Sequence, residues 1–273
     1  MQPTRNRSAL VAGLWLLGWS VAVCQHTSQP ADAGRASSVQ NAPLPVGQVA
    51  RKLEERDAQR ASALAEFRGT RVYHMQYYGF PGGRDAEMVV KVTYRAPDSK
   101  QFTVVSQRGS SFIIDHVFKK LMQSEQEYIS EENRRSTALS TENYQFTLAG
   151  YETTPNGPQY VLNLQPRNSN RFLYRGKICV DAKDFAVVRI EAEPARNPSW
   201  WIRKTEIRHK YIKVDDFWLP AEDHTESVTR MGGRAVLSIE YKDYAVTKAS
   251  PVAGLGGKRE TSKRREAGSE PAP

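Results

Sequence analysis

Thr70–Tyr94 reads TRVYHMQYYGF, then PGG and Arg84, then DAEMVVKVTY, and this stretch decides the fold class. Residues 70–80 alternate between polar and apolar or aromatic side chains and stop at Pro81-Gly82-Gly83, a turn signal. Asp85–Tyr94 alternates again and is closed by Ala96-Pro97-Asp98. A repeat of two residues fits the pleat of a strand and not the turn of a helix, so the pair predicts an antiparallel hairpin.

The same signal recurs downstream. Gln101–Gln107 reads as a third strand. Ser110 or Ser111 then opens a helix running to about Ser130, with Phe112, Ile113, Val117, Leu121 and Met122 on one face and charges on the other. A meander follows. Tyr144–Tyr151 and Gln159–Gln165 flank Thr-Pro-Asn-Gly-Pro, and Phe172–Asp181 and Phe185–Glu193 flank Ala-Lys-Asp. Trp200–Val214 and Phe217–Thr229 flank Asp215-Asp216, and Arg234–Val246 follows Met231-Gly232-Gly233. The connections are short, so neighbouring strands are expected to be antiparallel. Upstream, Leu53, Ala61, Leu64 and Phe67 recur near helical spacing, with Gly69 as the expected stop.

The expected fold is α+β: a large curled antiparallel sheet of about ten strands, an unclosed β-barrel, with two or three helices. One sheet face is charged. The other carries Tyr73, Met75, Tyr77, Val90, Val92, Phe102, Val104, Leu162, Leu164, Tyr174, Ile178 and Val187. Two amphipathic helices are few for so broad an apolar face, so a partly unfilled hollow is expected beneath Phe112, Val117 and Leu121.

The termini differ from this body. Arg5 and Arg7 precede the uncharged stretch Ala9–Val23, which is short for a membrane span, so residues 1–24 read as a secretory signal. Three outcomes stay open: cleavage after Ser20-Val21-Ala22 or Ala22-Val23-Cys24, lipidation of Cys24, or retention as an anchor. Residues 25–45 read as a flexible linker, 46–248 as the folded domain and 249–273 as a disordered basic tail. The expected location is the periplasm.

Charge and motifs exclude several functions. The net charge is +9, and +7 once Arg5 and Arg7 leave with the signal. The cations alternate with acids along the strands, as in Arg203–Arg208, and a nucleic-acid surface would cluster them. Loose attraction to an anionic membrane surface is compatible with this balance. His26, His74, His116, His209 and His224 show no metal-ligand spacing, and no nucleophile elbow or phosphate loop is present. Gly79–Gly83 joins two strands and is a hairpin turn. Asp181, Asp184, Asp215 and Asp216 lie in turns, where carboxylates serve local hydrogen bonding. Cys179 in a strand reads as a small buried hydrophobe. The aromatic group Trp200, Trp201, Phe217 and Trp218 reads as core or as ligand contact. The protein is thus expected to be no enzyme and to need no cofactor.

Phe172–Asp181, FLYRGKICVD, with Asp184–Glu191, DFAVVRIE, makes a strand, an Asp turn and a strand. Trp201–Ile207, Phe217–Ala221 and Gly233–Tyr244 continue the pattern. It resembles the outer-membrane lipoprotein-sorting family, LolA/LolB-like, with the related RseB/MucB sensor domain, over roughly residues 50–247. The resemblance implies an unclosed β-barrel wrapped around helices, with an apolar cavity that holds acyl chains. Cavity candidates are then Tyr73, Met75, Tyr77, Val90, Val92, Phe102, Val104, Phe112, Val117, Leu121, Leu162, Leu164, Tyr174, Ile178, Trp201 and Trp218. Implied partners are a lipoprotein or lipid acyl chains and a receiver protein in the inner or outer membrane, with no nucleic acid. The alternative role is an envelope-stress sensor or regulatory module recognising a partner protein.

Overall fold

A computed structural model describes residues 43–127, 131–169, 172–197, 200 and 202–249. The signal, the linker up to residue 42, Cys24 and the tail beyond residue 249 lie outside the described residues. Helix α1 (Val46–Ala63) leads into β1 (Leu64–Tyr78), β2 (Arg84–Arg95) and β3 (Ser99–Gly109). A helical segment follows: α2 (Ser111–Ile113), a π-helical stretch (Ile114–Phe118) and α3 (Lys119–Glu127). After α4 (Glu131–Thr137) come β4 (Tyr144–Thr154), β5 (Gly157–Pro166), β6 (Tyr174–Asp181) and β7 (Val187–Pro194). Strands β8 (Ile202–Val214), β9 (Phe217–Thr229) and β10 (Arg234–Lys248) complete the meander.

All ten strands form one antiparallel sheet in the order β3-β2-β1-β10-β9-β8-β7-β6-β5-β4. Strand β10 returns to lie beside β1 and so joins the N-terminal strands to the C-terminal meander. The sheet curls but does not close: β3 and β4 are its two edges, and the helices between them carry the chain from one edge to the other. Among the described residues no helix is long and apolar enough to cross a membrane.

The first helix ends earlier than its periodicity suggests. Leu64 is already extended (φ −88°, ψ 115°), and Leu64 and Phe67 belong to β1. The cause is tertiary pairing. Strand β10 reaches Lys248 and gives these residues partners, with Phe67 opposite both Val246 and Tyr94. The Phe67 ring stacks on Tyr94 at 5.2 Å and meets the edge of Tyr244 at 6.0 Å. Gly69 is therefore no helix stop but part of a bulge against β10. A Cβ there would lie 3.1 Å from the Tyr244 ring and 3.2 Å from the Lys242 carbonyl oxygen. Smaller shifts occur where Pro155-Asn156 forms the whole β4–β5 turn, and where β6 and β7 start at Tyr174 and Val187.

The inner face of the sheet is the apolar one. Ile113, Ile114, Val117, Phe118, Leu121 and Met122 of the helical segment are buried in one cluster with Val49 and Leu53 of α1. Eight strands contribute to the same cluster, among them Met88, Val90, Leu162, Ile178, Ile190 and Leu237. The rings of Phe118 and Tyr73 lie 5.5 Å apart, so the helix reaches the floor of the sheet. The hollow expected from the sequence is thus occupied by the protein's own helical side chains.

Candidate functional site

The structure gathers most of the anticipated residues onto this inner face. Tyr73, Val90, Val92, Leu162, Leu164 and Ile178 are at most 2% exposed, and Met75, Val117, Leu121 and Val187 are buried with them. Tyr77, Phe102 and Tyr174 are half-buried and pack against the same cluster. Three residues are not brought in. Val104 lies opposite Val90 but is 42% exposed, on the edge strand β3. Phe112 is 54% exposed in the first helical turn, where its ring stacks on His116 at 4.7 Å and lies under Arg84. Trp218 sits half-buried at the β8–β9 hairpin and donates its indole N–H to Asp184 at 3.0 Å. Trp201 lies outside the described residues, and its neighbour Trp200 is exposed.

A polar belt runs across the apolar face. Glu125 on α3 accepts from Arg71 of β1 (2.7 Å) and from Lys100 of β3 (2.6 Å), and Arg71 also donates to the Tyr73 hydroxyl at 3.1 Å. The Arg71 guanidinium lies over the Tyr241 ring, 4.9 Å from its centre. Tyr241 donates to one oxygen of Asp223 on β9, and the other lies 2.5 Å from His209 Nδ1 on β8. The belt thus links five strands to one helix, and its fixed charges balance as two cations and two carboxylates.

Burial sets the energetics of these groups. It would raise the Glu125 carboxyl, but the charges of Lys100 and Arg71 and the hydrogen bonds from both outweigh it and hold the group at about 2. Burial also lowers Lys100, with Glu125 opposing, and pushes the Tyr73 phenol up to about 12. Tyr241 is raised by burial and then by the negative charge of Asp223. A carboxylate bonded to two buried cations is a tether: lifting α3 off the sheet strands all three charges.

Beside the belt, β9 gives the inner face no aliphatic row. Thr225, Ser227 and Thr229 are buried there, and Ser227 shares a hydrogen bond with Thr205 of β8 at 3.1 Å. The sequence reading missed this polar component. Its signal was the row Asp223, Thr225, Ser227, Thr229, four alternate positions that are all polar and all buried. Arg71 and Glu125 gave no local signal, since charged residues at such spacing usually face solvent.

Among the described residues no group of three or more His, Cys, Asp or Glu side chains could hold a metal ion. Asp181 accepts the backbone N–H groups of Lys183 and Asp184, the local turn role expected of it. Cys179 is buried, and burial raises its thiol despite Arg189 nearby, which suits packing and not nucleophilic attack.

No family model matches the chain, and no curated protein matches it. Among solved structures the chain is similar to an outer membrane lipoprotein-sorting protein domain from Vibrio parahaemolyticus. Identity is 13% over 74% of this chain and 93% of that one, with a TM-score of 0.41. A LolA superfamily protein from Nitrosomonas europaea is 11% identical over 76% of this chain and 96% of that one, with a TM-score of 0.33. A structure of the Pseudomonas aeruginosa MucA/MucB complex gives 12% identity, 73% and 94% coverage and a TM-score of 0.26. These values describe a distant likeness of chain path and no more.

Proposed function

We propose that this protein is a non-catalytic periplasmic binder of acyl chains, free or on a lipidated protein, acting in lipoprotein sorting or outer-membrane biogenesis. The observation that carries the reading is a helical segment of 17 residues, 111–127, whose six buried apolar side chains cover the inner face of an open sheet. The segment is held to the sheet by a polar tether at Glu125.

Magnitudes support an exchange between helix and ligand. Removing six such side chains from the face costs about 9–18 kcal/mol at roughly 1.5–3 kcal/mol each. A sixteen-carbon acyl chain gains about 13 kcal/mol at roughly 0.8 kcal/mol per CH₂. The two are of one size, so the face is covered when empty and can be uncovered by cargo. Near balance also favours release, since a receiver in either membrane needs only a modest advantage. The export signal read in residues 1–24 supplies the compartment.

The test is isolation of the protein, expressed with its own leader, from a detergent-free envelope extract, followed by lipid mass spectrometry and titration with a fluorescent fatty acid. Stoichiometric lipid or saturable probe uptake is expected. Failure to take up either, by a folded protein, rejects the reading.

One observation favours the partner-recognition reading as a second role. Among the described residues no strand pairs with the outer edge of β3, and Val104 and Val105 on it are exposed. Such an edge accepts an added strand. Crosslinking from position 105 in cells, with identification of the captured segment, tests it.

A further inference from the structure

A second concavity lies at the end of the sheet where α1 finishes, the β6–β7 and β8–β9 turns meet, and β10 ends. Its cavity measures about 320 Å³, the low end of the size range of small-ligand sites. Five cations from four parts of the chain line it: Arg56 and Arg60 of α1, Lys183 of the β6–β7 turn, Lys213 of β8 and Lys248 of β10. Two carboxylates, Asp184 and Asp216, accompany them and Asp57 pairs with Arg60, which leaves an excess of two positive charges.

The arrangement is partly built and partly unsatisfied. Arg60 donates to the carbonyl oxygens of Asp184 (3.1 Å) and Phe185 (3.2 Å) and pairs with Asp57, so it is fixed. Lys213 lies 2.5 Å from Asp184, and Lys248 pairs with Asp216. Each ammonium carries three donors, so both lysines keep donors beyond these pairs. Among the described residues Arg56 donates only to Gln59, at 3.0 Å, and Lys183 has no carboxylate within ion-pair distance. Like charges converge here without a full set of counter-charges, and concave walls focus their field.

We infer that this cleft binds a phosphate monoester. A guanidinium fork and several ammonium groups suit a compact dianion through charge-assisted hydrogen bonds. The buried Phe217 and the Ala63 methyl supply an apolar wall for the ester's organic part, which inorganic phosphate would leave unused. The phosphate monoester belongs either to a soluble metabolite or to a lipid head group. The inference stands apart from acyl-chain binding, because its residues line the rim of the sheet and not the face beneath residues 111–127.

The experiment uses the full chain and the double variant Arg56→Gln/Lys183→Gln. Both substitutions fall on exposed side chains, and an unchanged melting temperature certifies the fold. Glycerol 1-phosphate and inorganic phosphate are titrated by calorimetry, and vesicles of phosphatidylcholine with and without phosphatidic acid are used in flotation. Saturable binding of glycerol 1-phosphate, at least about tenfold weaker in the variant, assigns a soluble ester. Binding confined to phosphatidic acid vesicles and lost in the variant assigns a head group. Binding of neither ligand, equal binding to vesicles lacking phosphatidic acid, or binding unchanged in the variant overturns the inference. Acyl-probe uptake by the same variant is expected to equal wild type, so failure here and failure of the carrier reading are separately visible.

Discussion

His209 Nδ1 lies 2.5 Å from Asp223 Oδ1 across β8 and β9, and the same carboxylate accepts the Tyr241 hydroxyl through its other oxygen. All three side chains are buried. One carboxylate thus satisfies two polar groups on the two strands that flank its own. Replacing it with Asp223→Ala removes the acceptor of the Tyr241 hydroxyl and one partner of His209. The expected cost is about 3 kcal/mol, read from the urea midpoint, and a loss below about 1 kcal/mol would show that water satisfies the pair instead.

Glu125 makes stability depend on acid. Its folded value of about 2 lies below the ordinary 4.5, so its contribution is fully present above pH 4.5 and drains away as pH falls toward 2. The shift corresponds to about 3 kcal/mol. Denaturation of wild type and Glu125→Gln across this window is expected to show a steeper acid loss in wild type. Parallel curves would remove Glu125 from the account.

The same substitution bears on the carrier reading. Glutamine cannot compensate Arg71 and Lys100, which weakens the hold of α3 on the sheet. Acyl-probe uptake by Glu125→Gln is expected to be faster than wild type even though the protein is less stable. Slower or identical uptake by a folded variant argues that residues 111–127 do not gate the face.

Phe118 is fully buried against Tyr73. Phe118→Ala is expected to cost about 3–5 kcal/mol and to leave a cavity where helix meets sheet. Loss of stability with retained or tighter acyl-probe binding fits a ligand that can refill that volume. Loss of both in a still-folded protein places Phe118 in direct ligand contact.

Gly176 in β6 has φ +155°, and a Cβ there would lie 2.5 Å from Ala192 Cα and still closer to the Glu191 carbonyl oxygen. Backbone atoms on both counts cannot yield cheaply. Gly176→Ala is expected to destabilise by about 3 kcal/mol or more, seen as lost soluble yield or a lowered urea midpoint. A near-neutral effect would mean that β6 and β7 can separate locally.

Much of the architecture was legible along the chain, because alternation and turn chemistry are local. The hairpin at 70–94, the helical face of 111–127, ten strands and their antiparallel neighbours all follow from residues a few positions apart. So does the apolar row that includes Tyr73, Val90, Leu162 and Ile178.

What the tertiary structure alone decided lies at longer range. The pairing of β1 with β10 joins residues such as Tyr73 and Ile239, sets β3 and β4 as the edges, and draws Leu64 and Phe67 out of a helical pattern into a strand. Glu125 meets a residue 54 positions earlier and another 25 positions earlier, and five cations assemble at the rim from segments far apart in sequence. Periodicity reports which side of an element is apolar, since that depends on the element alone. Which buried charge meets which, and where unmatched cations collect, depends on the curl of the whole sheet, so only the folded chain determines it.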